Sequence, residues 1–341
     1  MALARTGRSV AVFEQSHYER VRIGETLPPI ARIPLLNLGV WDRFLNDGHA
    51  PSHGTLSAWG QEEPYENNFI FDPYGHGWHL DRRRFDATLA LAAEEAGARV
   101  RRGARVSAAI PDSEGWTLEL LADREPGSVT AKFLVDATGR ASAFARRQGA
   151  KRIAHDRLVG MTGFLPACCP ESITDNCTLV EATPDGWWYS AWLPGVQLVA
   201  AFMTDADLAP HSRVRALEHW WSHLEPAPHT LSRVRGCAPE PAFRIFAAHS
   251  YRLDRIIGDA WLAVGDAAAA LDPLSSRGIY NGFQSGLRAA AAIHKWLLGD
   301  KTALEEYALA DARNFEQYLT ARSLYYGREQ RWPLSEFWRR R

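Results

Sequence analysis

At 341 residues, 46% hydrophobic and 23% charged, the chain is long enough to bury a large core in one domain or two. A formal net charge of -1 argues against nucleic acid as its main partner, since a phosphate-binding surface needs a basic excess. No apolar run reaches the roughly 20 residues of a membrane span, no charged-then-apolar leader is present, and the cysteines (Cys168, Cys169, Cys177, Cys237) lack metal or CxxC spacing. A cytoplasmic protein with reduced, mostly structural cysteines, Cys168 and Cys169 in the core, and no metal site is expected.

Met1 to Thr6 reads as the end of a helix stopped at Gly7 in the left-handed conformation. Ser9 to Phe13 then reads as a short buried strand with Glu14 at its carboxyl end. Helix, Gly stop, strand and terminal acid form the second half of a dinucleotide-binding βαβ unit, whose Gly-rich turn is not in the chain as given. Ile30 to Asn46 predicts a helix broken at Gly39, and Thr55–Trp59 and Asn68–Phe71 predict strands. Leu80 to Ala96 has apolar residues at helical spacing, and Arg99 to Ala109 follows as one strand. Trp116–Leu121 and Lys132–Val135 predict strands, the second buried. Leu158 to Phe202 is strand-rich, Val214–Leu224 helical, and Trp261–Val264 a buried strand. Asn281–Leu298 and Leu304–Leu319 predict helices, and the tail Arg339-Arg340-Arg341 is expected to be solvated.

Three segments carry chemistry. Glu14 at a strand end can accept hydrogen bonds from ribose hydroxyls or simply be solvated. Phe133 to Arg140 ends an apolar strand in small residues and Gly139, which lets a bulky ligand approach the backbone or is an ordinary strand-to-turn exit. Trp261 to Gly282 delivers Asp266 at a Gly265 turn. Pro273 then directs the chain into a loop with Gly278, Asn281 and Gly282 that opens a long helix. Such a helix start suits a negative charge, unless Ser275 or Ser276 merely caps it. Trp188, Ser190 and Trp192 share one strand face, which lines a substrate cavity or packs against the sheet. His76 and His79 are a metal or acid–base pair, or turn residues.

In this order the segments resemble the flavoprotein monooxygenases of the p-hydroxybenzoate hydroxylase fold, in the branch with flavin-dependent tryptophan halogenases and geranylgeranyl reductases. Gly24-Glu25-Thr26-Leu27-Pro28-Pro29 resembles the branch's GE-x-x-P segment, and Arg82-Arg83-Arg84-Phe85-Asp86 its R-x-x-F-D helix start. Gly265-Asp266 and Pro273–Gly282 resemble its flavin clamp, and Gly186–Pro194 the aromatic strand beside the halogenase substrate tunnel. The resemblance implies an α/β fold: a three-layer FAD-binding domain, incomplete at its N-terminus, interleaved with an antiparallel-sheet substrate domain. The expected division is 1–52, 79–156 and 245–300 for FAD, 53–78 and 157–244 for substrate, and 301–341 as a C-terminal helical segment.

The implied activity is an FAD-dependent monooxygenase acting on an electron-rich aromatic ring, an aromatic small molecule or a Trp side chain of a partner protein, as in quinone-cofactor maturation. NAD(P)H or a partner reductase would supply electrons. Glu14, Gly24, Glu25, Arg82, Gly139, Gly265, Asp266, Pro273, Gly278, Asn281 and Gly282 are implied cofactor residues. Trp59, Trp188 and Trp192 are substrate-pocket candidates, and His79 is the candidate catalytic residue. Halogenation, which needs a substrate-domain lysine, is disfavoured because no lysine precedes Lys132. The same resemblance also admits a reductase of isoprenoid double bonds, or a truncated, non-catalytic product.

Overall fold

The computed structural model describes every residue except 20, 123–126, 169–172, 174, 211 and 239–241. Its helices are α1 (Ala2–Arg5), α2 (Arg32–Asn37), α3 (Trp41–Asn46), α4 (Arg82–Glu95), α5 (Ala143–Arg147), α6 (Arg213–Ser222), α7 (Pro228–Arg235), α8 (Gly278–Leu297) and α9 (Ala303–Tyr326). Gly7 (φ +78°) and Gly39 (φ +59°) take the left-handed conformation at the ends of α1 and α2, where a Cβ would be strained. Asp81 caps α4, its carboxylate accepting from the Arg83 and Arg84 amides.

Two parallel pairs mark one half of the molecule. Ala11–Glu14 pairs with Arg99–Arg102, and Leu134–Asp136 pairs with Trp261–Ala263. Both pack on a core shared with α8 and the start of α9, through Phe13, Leu134, Leu262, Ile293 and Tyr307. The other half is a seven-stranded sheet: Ala242–Ala247, Leu158–Pro166, Gln197–Asp205, Gly186–Leu193, Thr178–Thr183, Gly54–Ala58 and Tyr65–Asn68, in that spatial order. Neighbours are antiparallel except Thr178–Thr183 beside Gly54–Ala58. Successive side chains on a strand point to opposite faces. Trp188 therefore packs with Trp220 under α6 and α7, while Trp187 packs on the other face with Trp59, Tyr326 and Trp338.

Several expectations are corrected. The Ala11–Glu14 strand is half open to solvent rather than buried, with Val12 exposed. Phe69–Phe71 is a 3-10 turn following the strand Tyr65–Asn68, because the Asn68 side chain accepts from the Ile70 amide and turns the chain. Arg99 to Ala109 is two strands in different sheets, separated at Gly103 (φ +64°). The expected helix at Asn281 starts at Gly278, with Arg277 and not a serine at the N-cap position. The basic tail is not solvated: Arg341 is buried in an ion pair with Asp205 (2.6 Å), and Arg340 pairs with Asp205 and Asp207. Phe337 and Trp338 carry the tail into the sheet core. Cys168 is exposed rather than in the core; Cys169 lies outside the described residues.

Candidate flavin site

The strand Leu134–Asp136 ends in a carboxylate that builds the next turn. Asp136 accepts from the Thr138 amide and hydroxyl through Oδ1, and from the Phe144 and Ala145 amides through Oδ2. This holds Gly139 (φ +62°) at a half-buried bend. Arg140 then donates to the carbonyls of His249 and Leu271, and its Nε lies 3.8 Å from Asp266. Trp261–Ala263 delivers Gly265, whose amide donates to Ser285 Oγ (2.8 Å) on α8. A Cβ on Gly265 would sit 3.5 Å from Gly282 Cα, so the strand end and α8 meet through two glycines.

Three features make this surface a receiver. A Cβ placed on Gly139, Gly278 or Gly282 would meet nothing within 4 Å, so bare backbone borders open space. No side chain caps the N-terminus of α8, whose first amides lack intrahelical partners and carry the positive end of the dipole. Asp266 is partly open, and its carboxylate accepts no hydrogen bond from the described residues; burial raises it above its ordinary value, against the pull of Arg140 and Arg82. These groups fit the demands of a flavin: open backbone for a flat ring, amides for its negative charge, and a free carboxylate for polyol hydroxyls.

A second run of charges lies beside it. Arg82 Nη1 donates to the carbonyls of Ile23 and Gly24 (both 2.9 Å), and its other nitrogens bind Asp86. A Cβ on Gly24 (φ +96°) would come within 3.1 Å of Arg82 Nη1, which is why glycine stands there. Arg22 bridges Asp86 to Glu14 at 3.2 Å on each side, and Glu14 Oε1 also accepts from Ser16. Glu25 is buried with Oε1 unpartnered among the described residues, and desolvation raises it to about 7, opposed by Arg82.

Other candidates fall elsewhere. His79 is fully buried in the strand Gly77–His79, bonded through Nε2 to Thr178 Oγ1 (3.0 Å), and desolvation lowers it to about 4. It is a neutral tie between sheets rather than an exposed base. Trp59, Trp188 and Trp192 are buried in core clusters and line neither of the two described cavities: the Trp59 indole donates to the Tyr325 carbonyl and that of Trp188 to the His223 carbonyl, while Trp192 packs in the same cluster as Trp188. Pro273 opens the loop that Asp272 anchors. Asp272 carries no signal in the sequence beyond that of a turn residue, yet its buried carboxylate accepts from Leu274, Arg322 and Tyr326. Asn281 turns toward a cavity of ≈ 440 Å³ between α8 and α9. Arg140 is a further site residue beyond those expected; it follows Gly139 directly and is legible there as a cation beside the turn.

The parallel strand ends, the glycine-bordered opening and the uncapped helix belong to a mixed α/β fold, and its family and relatives make the chain an FAD-dependent oxidoreductase. Residues 34–322 match the family model described as FAD binding domain, and the chain belongs to that family. It is 28% identical to LodB of Marinomonas mediterranea, which bears the name of an FAD-dependent oxidoreductase, over 99% of this chain and 91% of LodB. Among solved structures it matches the flavin-dependent halogenase CmlS (TM-score 0.89, 24% identity, 100% of this chain, 64% of CmlS). It also matches QhpG, a peptidyl tryptophan dihydroxylase essential for tryptophylquinone cofactor biogenesis (TM-score 0.82, 23% identity, 99% of this chain, 74% of QhpG). The chain thus spans less than two thirds of CmlS. Halogenases recur among the relatives. The resemblance read from the sequence holds. No helix among the described residues is long and apolar enough to cross a membrane.

Proposed function

We propose that the chain is an FAD-dependent monooxygenase that hydroxylates an electron-rich aromatic ring, with a Trp side chain of a partner protein as substrate. The observation that carries this over halogenation is the placement of lysine. All four lysines, Lys132, Lys151, Lys295 and Lys301, are exposed, and none lines the described cavities. Lys295 faces Glu306, and Lys301 stacks on Trp296. The likeness to QhpG supports a peptide-borne tryptophan. A reductase of isoprenoid chains would need a long apolar tunnel, whereas the larger of the two described cavities mixes Leu271, Leu274 and Phe315 with Asp311, Arg288 and carboxamides.

Reduced FAD supplies the activation of O2. In this reading Asp266 holds the polyol, and the first amides of α8 stabilise the flavin's negative charge. Arg82 and Arg22 fix the Gly24–Glu25 segment and Glu14 beside it, and the packed sheet keeps water out. Electrons come from NAD(P)H or a partner reductase. The assigned cofactor residues and the division into FAD and substrate domains belong to the same proposal. The test is mass spectrometry of a Trp-containing peptide incubated with the FAD-loaded chain, a flavin reductase, NADH, O2 and bromide. Added oxygen without bromine is expected. Bromination, or an unchanged peptide from a chain that binds and turns over FAD, would overturn the proposal.

A further inference from the structure

The cavity between α8 and α9 has polar groups that the fold leaves without partners. Asn281 and Gln284 on α8 face Asn314 and Gln317 on α9 across it, and none of these four carboxamides makes a side-chain hydrogen bond to a described residue. At its far end the partly exposed Arg288 side chain lines the cavity, with its Nε and Nη2 buried and without an acceptor among the described residues. Its counter-charge Asp311 stands 3.6 Å away and accepts no hydrogen bond from the described residues. A donor group beside an acceptor group, repeated as carboxamides that are both, complements the carbonyls and amides of a polypeptide. A lipid chain would leave these groups unpaired at a cost.

Length points the same way. From Arg277 to Arg288 the wall follows α8 for about 16 Å, the reach of about five extended residues. Its near end is formed by Leu274, Ser275 and Arg277, the loop that opens the flavin site. Tyr280 and Tyr318 offer flat surfaces along the way.

We infer that this groove receives an extended segment of a partner polypeptide, its backbone held by the carboxamides and the Arg288–Asp311 pair, so that an aromatic side chain reaches the Pro273–Gly278 loop. The inference deepens the hydroxylase reading and takes the identity of the side chain from it, but the groove's occupancy is measurable without turnover.

The probe is a fluorescein-labelled, end-blocked pentapeptide with a central Trp, followed by anisotropy against the full chain loaded with FAD. Arg288→Met is expected to weaken binding about tenfold or more, the loss of a charge-assisted hydrogen bond, and Gln317→Leu several-fold. Lys295→Ala, outside the groove, should change nothing. If Arg288→Met fails to fold by thermal melting, Gln317→Leu carries the test, since that exposed side chain holds no bond within the fold. No binding by the native chain, equal binding by both variants, or displacement of the peptide by equimolar free L-tryptophan would overturn the inference. Binding without oxygen transfer would sink the hydroxylase reading and leave the groove standing.

Discussion

The seven-stranded sheet and the surroundings of α8 use polar groups in opposite ways. In and around the sheet most are consumed by the fold: the indoles of Trp59, Trp187, Trp188 and Trp338 each donate to a carbonyl or hydroxyl, while Trp220 Nε1 and Thr162 Oγ1 are exceptions. Around α8 the chain leaves bare glycine backbone, an uncapped helix start, an unbonded Asp266 and four unbonded carboxamides. Tryptophan therefore marks a packed scaffold here, and the proposed flavin site lies where hydrogen-bonding capacity is unmet.

The contrast breaks most severely if the tail on the sheet side contributes nothing. Arg341→Ala removes one partner of a buried ion pair with Asp205, which should cost about 3–5 kcal/mol in urea unfolding. A loss within about 0.5 kcal/mol, as for a solvated surface side chain, would return the tail to the solvent.

A smaller effect sharpens it at Glu25. Burial raises this carboxyl from 4.5 to about 7, so the folded chain holds a proton that the unfolded chain releases. The resulting stabilisation is fully present below pH 4.5 and is lost as the pH rises through about 7. Glu25→Gln should therefore exceed the native chain in stability by up to about 3 kcal/mol above neutrality and match it in acid. Parallel stability–pH curves for the two proteins would show that Glu25 does not carry a raised titration. Smaller again, Asp266→Asn should lower FAD affinity about tenfold with little change in melting temperature, because no hydrogen bond of the fold depends on that carboxylate.

Much of this was legible in the sequence. Periodicity located α4, α8 and α9, and the strand-then-Gly pattern located Gly139 and Gly265, because those signals are local. What escaped depends on distant partners. Arg339-Arg340-Arg341 reads as a solvated run until Asp205, far away in sequence, is seen beneath it. The alternation of Trp188 and Trp192 could not tell a cavity from α6 and α7 packed on the same face. Gly103 divides one apparent strand between two sheets, and only the pairing partners show that. Asp136 and Asp272 look like turn residues, and their roles emerge from bonds to amides and hydroxyls brought by other elements.

The central claim is that the open glycine face of α8 is where the flavin lies, and Gly282→Val tests it most directly. A Cβ at Gly282 meets nothing beyond the adjoining turns of its own helix within 4 Å, and valine is a better helix residue than glycine by a few tenths of a kcal/mol. Titration with FAD should show affinity reduced at least about tenfold in a protein whose melting temperature is unchanged or higher. Native FAD affinity in that variant would contradict the account.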